Sequence, residues 1–445
     1  MSDDVLSLLI ADFHARPLPD VVPRSIRIPT VPNKATALIG MRRSGKTYAM
    51  YDVMTRLARS GVPREHVLYL NMEDDRLGTP TVGTLDLALE LFFRRTPSAR
   101  EAQCHLFFDE IQVVPEWERF VRRVLGSERA QIYVSGSSAK LLSTEIATAL
   151  RGYSLTVEVL PFGLRETLRA RGTEVTDAGW PLPAPMRSVA AAALDTYLTV
   201  GGFPEVQQVH PLDRTQILQG YAETAMLKDV VERHGVTNLT ALRHLMNALF
   251  TANANEFSVS RLHGALTSQG IRVTKQTLLD YLGHLTDAYV GFLVSLRTRS
   301  EKQSLVNPRK AYAIDPGLAA VMYSGGAVNL GAQLEDFVYL ELRRQLGTLA
   351  DRAISYVRTS NGYEVDFAVE PVASGESLRL VQACARLNGP GTREREVRAL
   401  REAMSETGVT TATVVTLSER ETIETDAGTI VALPAWEWAI APAER

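Results

Sequence analysis

The chain has 445 residues, 45% of them hydrophobic and 22% charged, with a formal net charge of −3. That length suggests about three domains. The charge excludes a polycation, so any nucleic-acid contact must come from a local patch. Only two cysteines occur, Cys104 and Cys384, which excludes a disulfide scaffold and suits a reducing compartment. The start, Met1-Ser2-Asp3-Asp4, lacks the basic opening of a signal peptide. No apolar run approaches the ~20 residues of a membrane span. A cytoplasmic chain without membrane contact is expected.

Residues 1–24 read as an N-terminal helical extension. From 25 to 180, short apolar runs alternate with helical patterns, the mark of an α/β unit with a parallel sheet. Candidate strands are Thr36–Ile39, His66–Leu70, His105–Phe108 and Gln131–Val134. The first strand runs into Gly40-Met41-Arg42-Arg43-Ser44-Gly45-Lys46-Thr47, and a helical pattern follows from Tyr48. This is G-x-x-x-x-G-K-T in the strand–loop–helix context of a nucleotide phosphate loop. Gly40 and Gly45 let the backbone bend so that successive N–H groups face phosphate oxygens at a helix N-terminus. Arg42, Arg43 and Ser44 complete the loop; the two arginines are further candidates to contact nucleotide, with a solvated or packing role as the alternative. Lys46 is placed to reach the outer phosphates of ATP, and the Thr47 hydroxyl to hold Mg²⁺. The plainer alternative is a glycine-rich turn with a surface lysine.

Hydrolysis needs a second acid near the metal and a group that orients water. The run His105-Leu106-Phe107-Phe108-Asp109-Glu110 supplies both at the end of an apolar strand: Asp109 for Mg²⁺, Glu110 for the attacking water. The next strand ends in Ser135-Gly136-Ser137-Ser138. There Ser135 or Ser137 could touch the terminal phosphate or the water, or the run could simply be a turn that caps a helix.

Together, Ile39–Thr47, the Phe-Phe-Asp-Glu-Ile-Gln block at 107–112 and the Ser-Gly-Ser-Ser-Ala-Lys-Leu-Leu-Ser run at 135–143 resemble an AAA-type ATPase family of bacteria and archaea. Members carry a C-terminal domain catalogued as DUF4143. Leu150-Arg151-Gly152, Glu158–Phe162 and Gly201-Gly202-Phe203-Pro204-Glu205-Val206 extend the resemblance to nearly the whole chain after residue 25. The resemblance implies a charge-stabilising arginine near Leu150–Gly152. Arg151 is the candidate, acting within the chain or from a neighbouring subunit in a homo-oligomer, although Tyr153 stands where the family often has a second arginine. An ordinary surface arginine is the alternative.

A Pro- and Ala-rich stretch at 179–185 reads as a linker, and 190–236 as a helical connector. Residues 237–325 read as a winged-helix domain, with Val273–Leu282 opening the recognition-helix candidate. Nine Lys/Arg against four Asp/Glu over 238–312 give +5 (9 − 4) on an acidic chain. Arg272, Lys275, Arg297 and Arg299 are the leading DNA-contact candidates, with Lys302, Arg309 and Lys310 beside them. A structural winged helix that meets a protein partner is the alternative.

Residues 331–445 open on a helix, Ala332–Leu346, and continue through strands at 354–357, 364–369 and 378–383, a helix at 393–407 and a last strand at 411–417. This segment resembles a restriction-endonuclease-like α/β fold. The resemblance places Glu335, Asp366 and Gln382 at the metal positions and a lysine where Cys384 stands. Without that lysine, water activation loses a main contributor, so an inactive, binding or scaffolding domain is expected unless Arg386 substitutes. The overall expectation is an α/β chain: a P-loop NTPase sheet, a helical and winged-helix region, and a second α/β domain. Its function would be Mg²⁺-dependent ATP hydrolysis acting on DNA or a DNA-associated partner. The alternatives are a nucleotide-gated, antitoxin-like switch with little turnover, and an active metal-dependent nuclease.

Overall fold

The computed structural model describes residues 3–136, 152–298, 308–323 and 329–442. The chain divides into two compact units, Met1–Leu160 and Pro161–Arg445.

The first unit opens with α1 (Asp3–Ala15) and, among the described residues, holds a five-stranded sheet. Its strands are β1 (Ala35–Ile39), β2 (Val67–Asn71), β3 (Cys104–Asp109), β4 (Ala130–Gly136) and β5 (Ser154–Glu158), in the order β2-β3-β4-β1-β5. Every neighbouring pair is parallel. A parallel sheet covered on both faces demands unbroken apolar strands, and β1 and β3 are buried along their whole length. Helix α2 (Lys46–Arg59) turns Ala49, Met50, Val53 and Met54 onto Leu38, Val67, Phe107 and Tyr133. The rings of Phe107 and Tyr133 stack with centroids 4.5 Å apart.

This order positions the site. Parallel strands end at one edge, so the loop after β1, Ser135 near the end of β4 and Asp109 at the end of β3 share that edge. The register sets their level: Leu38 lies opposite Ser135, and Asn71 opposite Asp109. All four expected strands are present. β2 is shifted forward by one residue, and the other three are longer by one to three residues. β5 is absent from the sequence expectation. Its Ser-Leu-Thr-Val-Glu run is short and mostly half-exposed, so it carries a weak apolar signal.

The second unit begins at Pro161, where the chain bonds forward. The Phe162 N–H donates to Gly202 O at 2.7 Å, and its carbonyl accepts from the Tyr197 hydroxyl at 2.8 Å. A Cβ on Gly202 would collide with the Phe162 carbonyl oxygen, which is why glycine is needed there. The expected linker at 179–185 ends early: a helix (Ala184–Val200) starts inside it with Pro185 in its first turn, where proline is tolerated.

From 239 the order is helix (Leu239–Thr251), β6 (Asn255–Phe257), helix (Val259–Ser268), α3 (Lys275–Asp287), β7 (Gly291–Ser295) and β8 (Arg309–Ala313). The three strands form an antiparallel sheet, β6-β8-β7.

Helix α4 (Leu330–Leu346) then leads to a mixed six-stranded sheet. Its strands are β9 (Ile354–Arg358), β10 (Glu364–Val369), β11 (Arg379–Ala383), β12 (Thr411–Thr416), β13 (Glu421–Thr425) and β14 (Gly428–Pro434), in the order β13-β14-β12-β11-β10-β9. Helix α5 (Thr392–Thr407) buries Ala399, Leu400, Ala403 and Met404 against it. The expected last strand at 411–417 is therefore not the last. β13 and β14 follow it, and β13 is Glu or Thr everywhere except Ile423, too polar to announce a strand. No helix among the described residues is long and apolar enough to cross a membrane.

Candidate functional site

The loop between β1 and α2 has the backbone its sequence demands. Gly40 is at φ 152° and Gly45 at φ 98°, and Arg43 adopts a left-handed φ of 67°. A Cβ on Gly40 would collide with the Val159 carbonyl oxygen, so the exit of strand β5 presses directly on the loop. Lys46 is buried, and its Nζ donates to the carbonyls of Gly40 at 3.1 Å and Met41 at 3.2 Å. Its ammonium lies 3.8 Å from Glu110 Oε1. Ser44 Oγ is buried with no hydrogen-bond partner among the described residues. Arg42 lies against Glu73 at 3.3 Å on a half-exposed rim.

Asp109 is the hub. Its Oδ2 accepts from the Thr47 hydroxyl at 2.6 Å and the Tyr69 hydroxyl at 3.1 Å, and its Oδ1 accepts from the Ser135 hydroxyl. The Ser135 oxygen also accepts the Glu110 backbone N–H at 3.0 Å. Glu110 takes a left-handed conformation, φ 51° and ψ 43°, which swings its side chain off the strand line. Gln112 Nε2 donates to Glu110 Oε2 at 2.6 Å. Thus Lys46, Thr47, Asp109, Glu110 and Ser135 converge, whereas Arg151 and Ser137 lie outside the described residues.

The donor set is two oxygen groups on rigid elements, Thr47 and Asp109. Mg²⁺ is held by one or two protein oxygens plus substrate phosphates and water, so these residues fit it. The orphaned Ser44 hydroxyl, the bent glycine backbone and Lys46 fit a phosphate chain.

Three participants escape the sequence reasoning. Tyr69 looks like one more apolar residue of β2, and burial, followed by the nearby Asp109 charge, raises its phenol well above the usual range. Gln112 enters the sequence reading only as part of a motif block. Arg24 is buried in the lead-in, where its guanidinium donates to Ser44 O at 3.1 Å and Leu160 O at 2.7 Å. A lone arginine before the first strand gives no pattern to find.

Among the expected DNA contacts, Arg272, just before α3, and Lys275, its first residue, are exposed. Arg297 is occupied by Glu370 at 2.8 Å, and Arg299 and Lys302 lie outside the described residues. Arg309 is only half-exposed. Lys310 is no surface residue at all. It is 3% exposed, and its Nζ pairs with Glu335 at 2.9 Å, Glu364 at 2.7 Å and Asp366 at 3.0 Å. Its place in an apolar strand, before Ala311-Tyr312-Ala313, is the available signal.

This corrects the expectation of a lysine-free cluster. The cation comes from β8, in another sheet, and neither Cys384 nor Arg386 supplies it. Burial works against the ammonium, yet Asp366, Glu335 and Glu364 raise its pKa above that of an ordinary lysine. Burial, then Asp366, pushes the Glu335 carboxyl up to about 8, and burial raises Asp366 as well.

A divalent metal does not fit this cluster as assembled. Asp366 Oδ1 is taken by Lys310 and Oδ2 by the Ala383 N–H. Gln382 is engaged with the Asp366 N–H and with Glu396. Among the described residues no group of three or more His, Cys, Asp or Glu side chains is placed to hold a metal ion.

Comparison with known proteins fits the first site. A family model described as an AAA domain matches residues 32–168, and a domain of unknown function, DUF8612, matches 191–332. The latter stands where the motif resemblance pointed to DUF4143. The uncharacterized protein MJ1544 of Methanocaldococcus jannaschii is 32% identical over 429 residues, 94% of this chain and 91% of its own length. An uncharacterized protein of Haemophilus influenzae is 27% identical over 324 residues, covering 72% of this chain and 78% of its own. Among solved structures, the Walker-type ATPase PABY2304 of Pyrococcus abyssi is similar at a TM-score of 0.41 and 14% identity, covering 72% of this chain and 95% of that one.

Proposed function

Because the chain belongs to one family with MJ1544 of Methanocaldococcus jannaschii and carries an AAA domain over residues 32–168, we propose that it binds ATP with Mg²⁺ and hydrolyses it at the loop of residues 40–47. The observation that carries this reading is the 2.6 Å contact between Thr47 and Asp109. Two segments 62 residues apart present their metal-binding oxygens to each other, directly beside Lys46 and Glu110.

In this reading the loop N–H groups and Lys46 bind the phosphates, with Lys46 exchanging the Gly40 and Met41 carbonyls for phosphate oxygens. Thr47 and Asp109 hold Mg²⁺, which supplies charge neutralisation on the phosphate oxygens. Glu110 takes a proton from the attacking water. Ser135 fixes both acids, through the Asp109 carboxylate and the Glu110 N–H. Arg151 is the proposed charge-stabilising arginine.

The output is proposed to be mechanical or regulatory, directed at DNA or a DNA-associated protein. The helix–strand–helix–helix–strand–strand order of 239–313 suits a winged helix, with exposed Arg272 and Lys275 as phosphate contacts. The 331–445 segment is proposed as a nuclease-like fold that binds or braces and does not cut, since Lys310 and the Ala383 N–H occupy the Asp366 carboxylate oxygens and Gln382 is engaged with the Asp366 N–H and Glu396. In the switch-like alternative, ATP is bound and scarcely turned over.

Phosphate release with Mg²⁺, with and without DNA, tests the reading. Lys46→Ala is expected to lose nucleotide binding, and Glu110→Gln to keep binding and lose turnover. Normal hydrolysis by Glu110→Gln removes Glu110 from the mechanism, and tight binding without turnover in the wild type favours the switch. Plasmid cleavage in Mn²⁺ that disappears in Asp366→Ala would overturn the non-cutting assignment.

A further inference from the structure

Glu110 has a neighbour that the phosphate-loop argument does not require. Gln112 lies in the single helical turn Ile111–Val113, and the left-handed backbone of Glu110 brings the two side chains together. The 2.6 Å contact is between Gln112 Nε2 and Glu110 Oε2. A carboxylate only accepts hydrogen bonds, so the amide must face it with its N–H. The amide oxygen is thereby committed to the other side. Gln112 Oε1 is buried there and has no hydrogen-bond partner among the described residues. Buried acceptors are nearly always satisfied, so an orphaned one beside a reacting group points to a donor that arrives with the substrates.

Water has two O–H bonds, and a general base takes one. On the reading that Glu110 is that base, we propose that Gln112 handles the other. Its Nε2–H holds the Glu110 carboxylate, and its Oε1 accepts the second O–H of the attacking water. Glu110 Oε1 stays turned toward Lys46, 3.8 Å away, on the phosphate side. With both hydrogens engaged, an oxygen lone pair is aimed at the terminal phosphorus. The step balances: the water oxygen bonds to phosphorus and the bridging P–O bond breaks to release a nucleoside diphosphate. One proton passes to Glu110, and the other stays on the phosphate product. Gln112 is neither consumed nor ionised.

Two variants of the full chain test this in Mg²⁺-ATP turnover. Gln112→Met keeps length and shape while removing both donor and acceptor. It is expected to lower kcat about 10- to 100-fold, with KM and nucleotide affinity within about threefold, the range expected when ground-state binding is untouched. Gln112→Glu keeps an acceptor but sets a second carboxyl against Glu110. It is expected to move the acid limb of the kcat–pH profile upward by about one unit or more, because paired carboxylates resist joint ionisation. A purely structural role for Gln112 predicts instead that kcat, KM and nucleotide affinity deteriorate together in Gln112→Met. A Gln112→Met enzyme with wild-type kcat, or a Gln112→Glu profile that superimposes on the wild type, overturns the proposal. Turnover that survives Glu110→Gln sinks the underlying reading instead. Turnover that depends on Lys46 and Glu110 but ignores Gln112 sinks this inference alone.

Discussion

Replacing Lys310 with methionine keeps the length of the side chain and removes the charge that three carboxylates share. In the wild type one ammonium lies within 3.0 Å of Glu335, Glu364 and Asp366. Methionine would leave Glu335 and Asp366 buried and uncompensated. Breaking a buried ion pair by removing one partner costs about 3–5 kcal/mol, and a large domain loses roughly 2–4 °C of Tm per kcal/mol. A drop on the order of 10 °C in the melting of the second unit is expected at pH 8. The pH dependence has a definite sign. Burial raises Glu335, up to about 8, and also Asp366, so the folded state holds these protons more tightly than the unfolded chain. The stability these groups contribute is complete below the unfolded Glu335 value of 4.5 and is lost as pH rises to about 8. Without Lys310 their folded pKa values rise further, so the penalty grows between about pH 5 and pH 8. Differential scanning fluorimetry of both proteins at the two pH values reads this directly. A shift under about 2 °C at pH 8 would correspond to less than about 1 kcal/mol, too little for an uncompensated buried carboxylate. That result, or equal shifts at both pH values, would refute the reasoning.

Three further outcomes are expected. Thr47→Val removes the hydroxyl from Asp109 at nearly constant volume and should raise the Mg²⁺ concentration for half-maximal turnover about tenfold or more; unchanged metal dependence would remove Thr47 from the site. Gly202→Ala drives a Cβ into the Phe162 carbonyl and should cost about 1–3 kcal/mol in urea melts; an unchanged urea midpoint would show that the contact yields freely. Arg272→Ala with Lys275→Ala should weaken DNA binding similarly on all sequences and lower the log–log salt slope by about 2. An unchanged slope would leave α3 to a protein partner.

Most of the first site can be read from the sequence because its logic is local. A strand, a glycine-bent loop and a helix are contiguous, and Asp109-Glu110 announces itself at the end of an apolar run. Apart from Gln112, two residues beyond Glu110, what escapes is whatever arrives from a distance in the chain. Tyr69 reaches Asp109 across 40 residues, and Lys310 reaches Asp366 across 56. The lysine shows the limit best. A search confined to the strand after Asp366 meets Cys384 and infers a missing cation. The fold supplies that cation from an earlier sheet. Counting charge over 238–312 errs for the same reason, since it treats Lys310 as surface when tertiary packing has buried it. Strands β5 and β13 are missed on another ground: both are short and largely exposed or half-exposed, so neither has enough apolar period to stand out.

One guanidinium, that of Arg24, holds two carbonyls: that of Ser44 in the phosphate loop and that of Leu160, the last residue of the first unit. Gly40 meanwhile rests on the carbonyl of Val159. A shift at either end would strain the hydrogen bonds that Arg24 makes to both. The glycine-bent loop and the point where the chain leaves the sheet are thus tied together by a single side chain.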